Sequence, residues 1–157
     1  MFKMRIKIRD IKKRDYSEVD RLLQQLHKVH MDGRPELFLE DEHPVSVSLF
    51  KNLISNKEVI SILAEIDHTV IGVCFVSILN TSGMVYMKTG YVEKLVVDEP
   101  YRHMGIGKML LQEAENPVKK LGAKRMDLMV WNFNETAIHT YESFGMTPQR
   151  TIYEKDI

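Results

Sequence analysis

Cysteine occurs once in this chain, at Cys74. One thiol excludes an internal disulfide and any metal centre built on paired thiolates, and it fits a reducing, cytoplasmic setting. An excess of one charge is also missing: Lys+Arg and Asp+Glu number 22 each. No net field draws the chain to nucleic acid or to an anionic membrane, so neither is expected as a partner. No apolar run approaches the ~20 residues that a membrane-spanning helix needs. Residues 1–10 alternate charged and apolar side chains, without the apolar block of a secretory signal. Repeats, linkers and low-complexity stretches are absent, and 157 residues read as one domain over residues 1–157. Hydrophobic residues make up 44%, enough for a real core.

Glycine is scarce as well, at eight residues, so two within one loop are informative. The apolar run Val92–Val97 stops at Asp98-Glu99-Pro100. Arg102-His103-Met104-Gly105-Ile106-Gly107-Lys108 follows, and a helical pattern begins with Met109, Leu110 and Leu111. The order is strand, glycine-rich loop, helix. A helix N-terminus bares unpaired N–H groups and a partial positive charge, and glycine lets a phosphate approach the backbone. The loop reads as a pyrophosphate cradle. A Walker loop is excluded, because Met109 stands where Ser or Thr is required, and a dinucleotide fingerprint needs a third glycine where Leu110 stands.

Arg102-His103-Met104-Gly105-Ile106-Gly107 resembles the acetyl-CoA-binding motif of the GNAT N-acetyltransferase superfamily. Asn132–Met146 is similar to the family's second signature, with Asn134, Ala137, Tyr141 and Gly145 at its marked positions. The two segments cover about residues 91–147, and their order and helix placement fit together. The resemblance implies acetyl-CoA as co-substrate, no metal, and a sheet whose two parallel strands splay apart to admit the cofactor. It implies cofactor contacts at Leu95, Val96, Val97, Arg102, His103, Met104, Gly105, Ile106, Gly107 and Lys108, and at Asn134, Ala137 and Tyr141.

Periodicity gives the elements. Lys3–Asp10 alternates as a first strand, and Val19, Leu22, Leu23, Leu26 and Val29 predict a helix over about 16–30. An acidic loop (Glu36, Glu40, Asp41, Glu42) leads to a second helix ending near Asn56. Glu58–Ile66 and Thr69–Leu79 form a hairpin turned at Asp67-His68, and Val85–Val97 is a long strand. A helix over 106–121 should kink or split at Pro117 and stop at Gly122. Arg125–Trp131 is a strand, Asn134–Phe144 a short helix and Thr147–Glu154 a last strand. The order β-α-α-β-β-β-α-β-α-β predicts an α/β (α+β) fold with one mixed, mostly antiparallel sheet and helices on both faces. This is also the GNAT order.

Acetyl transfer to an amine needs a neutral amine, a polarised thioester carbonyl and a proton for the departing thiolate. An alkylamine has a pKa of about 10 and a thiol one of about 8.5, so a base and an acid are both required. Ala137, Tyr141 and Phe144 share one helix face, which directs Tyr141 at the sheet. Its place in the second signature makes it the proton donor. Glu93 shares a strand face with Leu95 and Val97 by period two and is the candidate base, acting through water. A backbone N–H near Leu95 or Val96 could polarise the carbonyl. Asn134 could cap its helix or bond the cofactor arm.

Cys74 reads as a buried structural thiol, so direct attack in a ternary complex is expected rather than an acyl-enzyme. His27 and His30 lack the further ligands a metal site requires. Met104, Met109, Met126, Met129 and Met146 read as core filler, and Trp131 as a core residue beside the acceptor cleft.

The expected reaction is N-acetylation of a small-molecule or peptide amine. The alternative is a CoA-binding sensor or partner-binding module with little activity. The acidic loop, which in this family lies over the acceptor end of the cleft, is expected to attract a cationic amine. Thr151-Ile152-Tyr153 offers a strand edge for a homodimer.

Overall fold

A computed structural model describes residues 5–157. One five-stranded sheet carries the molecule, in the order β1 (Lys7–Asp10), β2 (Val59–Ile66), β3 (Thr69–Asn80), β4 (Lys88–Val97) and β5 (Arg125–Asp127). The first three pairings are antiparallel and β4–β5 is parallel. Asp67 and His68 both take positive φ (47° and 68°), which is what a two-residue hairpin turn between β2 and β3 requires.

Alternation along β2 and β3 sends side chains to two separate cores. Ile62, Cys74 and Val76 pack with Ile106, Leu110, Leu111 and Val118 of α3 (Ile106–Lys120). Leu63, Val73 and Phe75 pack on the other face with Val19, Leu22 and Leu23 of α1 (Tyr16–Gly33) and Phe50 of α2 (Val47–Ser55). A fourth helix, α4 (Glu135–Phe144), lies beside α3. The mixed, mostly antiparallel sheet with helices on both faces is the fold expected from the sequence.

Several boundaries differ from expectation, each for a physical reason. Part of the first predicted strand, Lys3 and Met4, lies outside the described residues. Pro117 neither splits nor ends α3. It falls in the last turn, where one missing N–H frees only the carbonyl of Glu113, an exposed residue. The helix stops at Gly122, whose φ is +94°. β4 begins at Lys88 rather than Val85, and Val85 is 93% exposed. β5 covers only the start of the expected Arg125–Trp131. The last predicted strand is not formed: 146–157 has no regular structure, and Ile152 and Tyr153 are exposed. Met104 and Met129 are also exposed rather than core.

Candidate active site

The site begins where two parallel strands part. β4 and β5 pair only through Thr89–Tyr91 and Arg125–Asp127. Beyond that, Val92–Val97 has no partner on the β5 side. The chain after β5 is drawn off towards the end of α1. Trp131 packs edge-on to Phe38 at 6.0 Å between centroids, and the Arg34 guanidinium lies 4.8 Å from its ring centre. The Phe133 ring takes the space beside Gly33, where a Cβ would come within 2.2 Å of it. The aromatic contacts hold the two strands apart and leave an open edge on β4.

The end of β4 is fixed by ionic and polar ties to α1. The buried Asp98 carboxylate accepts from Arg21 at 3.0 Å and from Gln25 at 2.8 Å. Arg102 Nε donates to the Val97 carbonyl at 3.0 Å, so this side chain is a strut and not a free surface charge. His103 (φ 64°) and Gly105 (φ 78°) then turn the chain left-handed into α3. No side chain caps that helix. Its first-turn N–H groups have no intrahelical acceptor and open onto the exposed segment His103–Gly105. Unpaired N–H groups at a helix start favour an anion.

Gly107 has a sharper role than conformational freedom. A Cβ there would lie 3.1 Å from Thr140 Cγ2 of α4 and 3.8 Å from both Leu95 and Val97. The glycine lets the first turn of α3 pack closely on α4 and β4. Leu95 and Val97 pack on the α3 side of the sheet, whereas Val96 is buried among the α1-side residues and Ile106 in the α3-side core. Those two side chains can offer a cofactor only their backbone. Met104 is exposed, and Lys108 is half-buried on the first turn of α3. Asn134 does cap α4, accepting from Ala137 N–H at 3.2 Å through its carbonyl oxygen, which leaves its amide N–H groups available.

Tyr141 packs half-buried against the α3-side core, near Cys74. Burial first, and then Cys74, push its hydroxyl up to about 12. The hydroxyl makes no hydrogen bond to any described residue, unlike that of Tyr16, which donates to Val45 O at 3.0 Å. Cys74 is fully buried, and burial alone pushes its thiol up to about 12. It is neither reachable nor ionised near neutral pH, so it is a structural residue as expected.

Glu93 does not sit as strict alternation demands. Phe75 pairs with Lys94 but Val76 pairs with Val92, so β4 carries one extra residue at Glu93. Val92 and Leu95 therefore share the α3 face although three positions apart. The bulge breaks the alternation that linked Glu93 to Leu95 and Val97, and leaves this carboxylate exposed. It is close enough to Tyr91 for its charge, after burial, to raise that phenol, with Asp127 adding to the effect.

Of the acidic loop, Glu36 pairs with Arg34 and Asp41 accepts from the His43 N–H, leaving Glu40 and Glu42 uncommitted. His27 and His30 pack on Phe38, and no group of three potential metal ligands exists among the described residues. Sequence reasoning missed Phe38, Phe133 and Lys94. Phe38 is an aromatic inside an acidic loop, and Lys94 a cation inside an apolar strand; both anomalies were visible.

The profile described as the acetyltransferase (GNAT) family matches residues 23–146. The L-ornithine N5-acetyltransferase NATA1 of Arabidopsis thaliana is 40% identical over 55 residues, 35% of this chain but 24% of that protein. The chain thus matches about a quarter of that relative's length. The BH1408 protein of Bacillus halodurans, in a mutant form, superposes with a TM-score of 0.89 at 26% identity, covering 96% of this chain and 99% of that one. AAC(6')-Iy, solved with a bisubstrate CoA-acetylneamine analogue, shares the fold at a TM-score of 0.77 and 18% identity, covering 98% and 99% of the two chains. With the profile spanning most of its length, and the glycine loop, splayed strands and Tyr141 helix in their expected order, this chain belongs to the GNAT acetyltransferase family.

Proposed function

We propose that this chain moves the acetyl group of acetyl-CoA onto a primary amine by direct attack in a ternary complex. The observation that carries the reading is the Tyr141 hydroxyl: half-buried against the sheet and without a hydrogen-bond partner among the described residues. A phenol raised by burial stays protonated at neutral pH and can give its proton to the departing sulfur. The pyrophosphate would take the uncapped first turn of α3, from Gly105 to Lys108, with Arg102 and His103 beside it. The pantetheine arm would pair with the open edge of β4 at Leu95–Val97 and meet Asn134 and Ala137 on α4.

Amide N–H groups at Leu95 or Val96 would polarise the thioester carbonyl. The residues present fit the cofactor, because the first turn of α3 has no side-chain cap and opens onto the exposed segment His103–Gly105. Glu93, exposed at the bulge, would take the amine proton through water; Tyr91 is its nearest polar neighbour on this strand. Attack by the neutral amine nitrogen on the carbonyl carbon forms the amide bond. The carbon–sulfur bond breaks, and the sulfur leaves with the Tyr141 proton.

The acceptor would enter on the α1 face, beside Phe38, Trp131 and Phe133. The plant relative is named for L-ornithine, which favours a small-molecule amine over a protein one. No described helix is long and apolar enough to cross a membrane. A cytoplasmic location would suit acetyl-CoA as co-substrate. The test is release of CoA thiol from acetyl-CoA across a panel of amines. Amine-dependent release supports transfer. CoA binding without release on any amine would support a binding module instead.

A further inference from the structure

The α1 face of the opening carries a cation without a counter-charge. Lys94 follows the β4 bulge and pairs with Phe75, which is buried on the α1 side, so the lysine points to that side. It borders a cavity of about 30 Å³ beneath α1, walled by apolar Leu23, Leu26 and Val45 and by His27 and His30. It is half-buried, and no carboxylate lies within ion-pair distance of it among the described residues. Burial, and then the charges of Lys94 and His27, hold His30 below its ordinary range. At neutral pH that imidazole is uncharged and can still donate one hydrogen bond.

Partial burial of an ammonium is costly unless something compensates it. Two other partly buried cations in this protein are compensated by carboxylates: Arg9 by Asp15 and Glu65, Arg21 by Asp98. On the same face the opposite sign gathers a few residues away. Tyr91 pairs with Asp127 across the strands, and both Glu93 and Asp127 act on its hydroxyl. Asp127 already meets Arg125 at 3.5 Å, so the exposed Glu93 supplies the negative end near Tyr91 and Lys94 the positive one.

We propose that Lys94 determines acceptor specificity by pairing with a carboxylate, so that the acceptor is a small amine that also carries an acid group. The negative end receives the ammonium, and Lys94 with His30 receives the carboxylate. The proposal rests on the acetyl-transfer reading and narrows its substrate class. A diamine lacking the acid would leave the lysine uncompensated and would bind less well.

The test uses the full chain saturated with CoA and calorimetry with matched pairs: L-lysine against 1,5-diaminopentane, L-ornithine against 1,4-diaminobutane, and L-arginine against agmatine. A charged hydrogen-bonded contact is worth ~10- to 100-fold in affinity. In at least one pair the amino acid should bind tighter by that factor. Lys94→Gln should erase the preference and Lys94→Arg should restore most of it, with circular dichroism reporting the fold of each variant. If no pair favours the carboxylated member, or if the preference survives in Lys94→Gln, the proposal is overturned. Because the readout is binding, a preference that depends on Lys94 in a protein with no turnover would support this site while refuting acetyl transfer.

Discussion

Replacing Tyr141 by Phe removes one oxygen from the place where the chemistry is assigned. The ring keeps its packing against the α3-side core. The hydroxyl makes no hydrogen bond to a described residue, so its loss strands no partner, and stability should change by less than about 1 kcal/mol. For a chain of this size that is a Tm shift of no more than about 2–4 °C. The rate should respond far more. General acid catalysis contributes ~100- to 10,000-fold.

Water that reaches the half-buried position would supply part of the proton, so the expected loss in single-turnover rate is about 100- to 1,000-fold, or roughly 3–4 kcal/mol. KM for acetyl-CoA should move little. Thiol capture suits the assay, because the sole cysteine is fully buried and gives no background. Tyr141 loses its proton only as pH rises through about 12. The wild-type profile between about pH 6 and 10 should therefore show no tyrosine limb. A Phe variant whose single-turnover chemistry equals wild type would make Tyr141 a packing residue and refute the assignment.

Gly107→Val should lower CoA affinity at least ~10-fold by calorimetry, because its side chain would clash with Thr140 and shift the first turn of α3 from Leu95 and Val97; unchanged affinity in a folded variant would put the cofactor elsewhere. Neutralising Glu40 and Glu42 together should raise the KM of a cationic amine, more at low salt than at high salt, and a KM that ignores both would leave the loop a solvated surface. His43 is raised above its ordinary pKa, first by its hydrogen bond to Asp20 (2.8 Å). That stabilisation is fully present below the unfolded value of about 6.5 and is lost as pH rises through the folded value, so the Tm gap between wild type and His43→Gln should close on going from mildly acidic to alkaline pH. The free edge of β5 and the exposed Ile152 and Tyr153 point to a homodimer, even without the final strand; light scattering that finds only monomer at tens of micromolar would refute it.

The parts legible in the sequence are those set by local chemistry. Asp67-His68 between two β-branched runs is a hairpin wherever it occurs. Asn134 capping α4 and Gly122 stopping α3 act within one turn of backbone. Tyr141 on the inward face of its helix follows from i, i+4 spacing. Pro117 misled because its effect depends on how much helix lies beyond it. The predicted last strand misled because β-propensity expresses packing on a half-buried face, and Ile152 and Tyr153 pack on nothing although β5 offers a free edge.

Period two, the glycine loop and the helix faces thus determined, by themselves, a mixed sheet, a glycine turn into an uncapped helix and a tyrosine aimed at the sheet. Tertiary structure decided the rest. It inserted an extra residue at Glu93 and broke the alternation on which its facing had been inferred. It turned Arg102 onto the Val97 carbonyl and gave Gly107 a neighbour in Thr140. It also brought Phe38, Trp131 and Phe133 together across nearly a hundred residues of chain, beside an unpaired Lys94. A bulge, a strut and a gap between strands are relations between segments distant in sequence, and no local propensity encodes the pairing register or the aromatic contacts that create them.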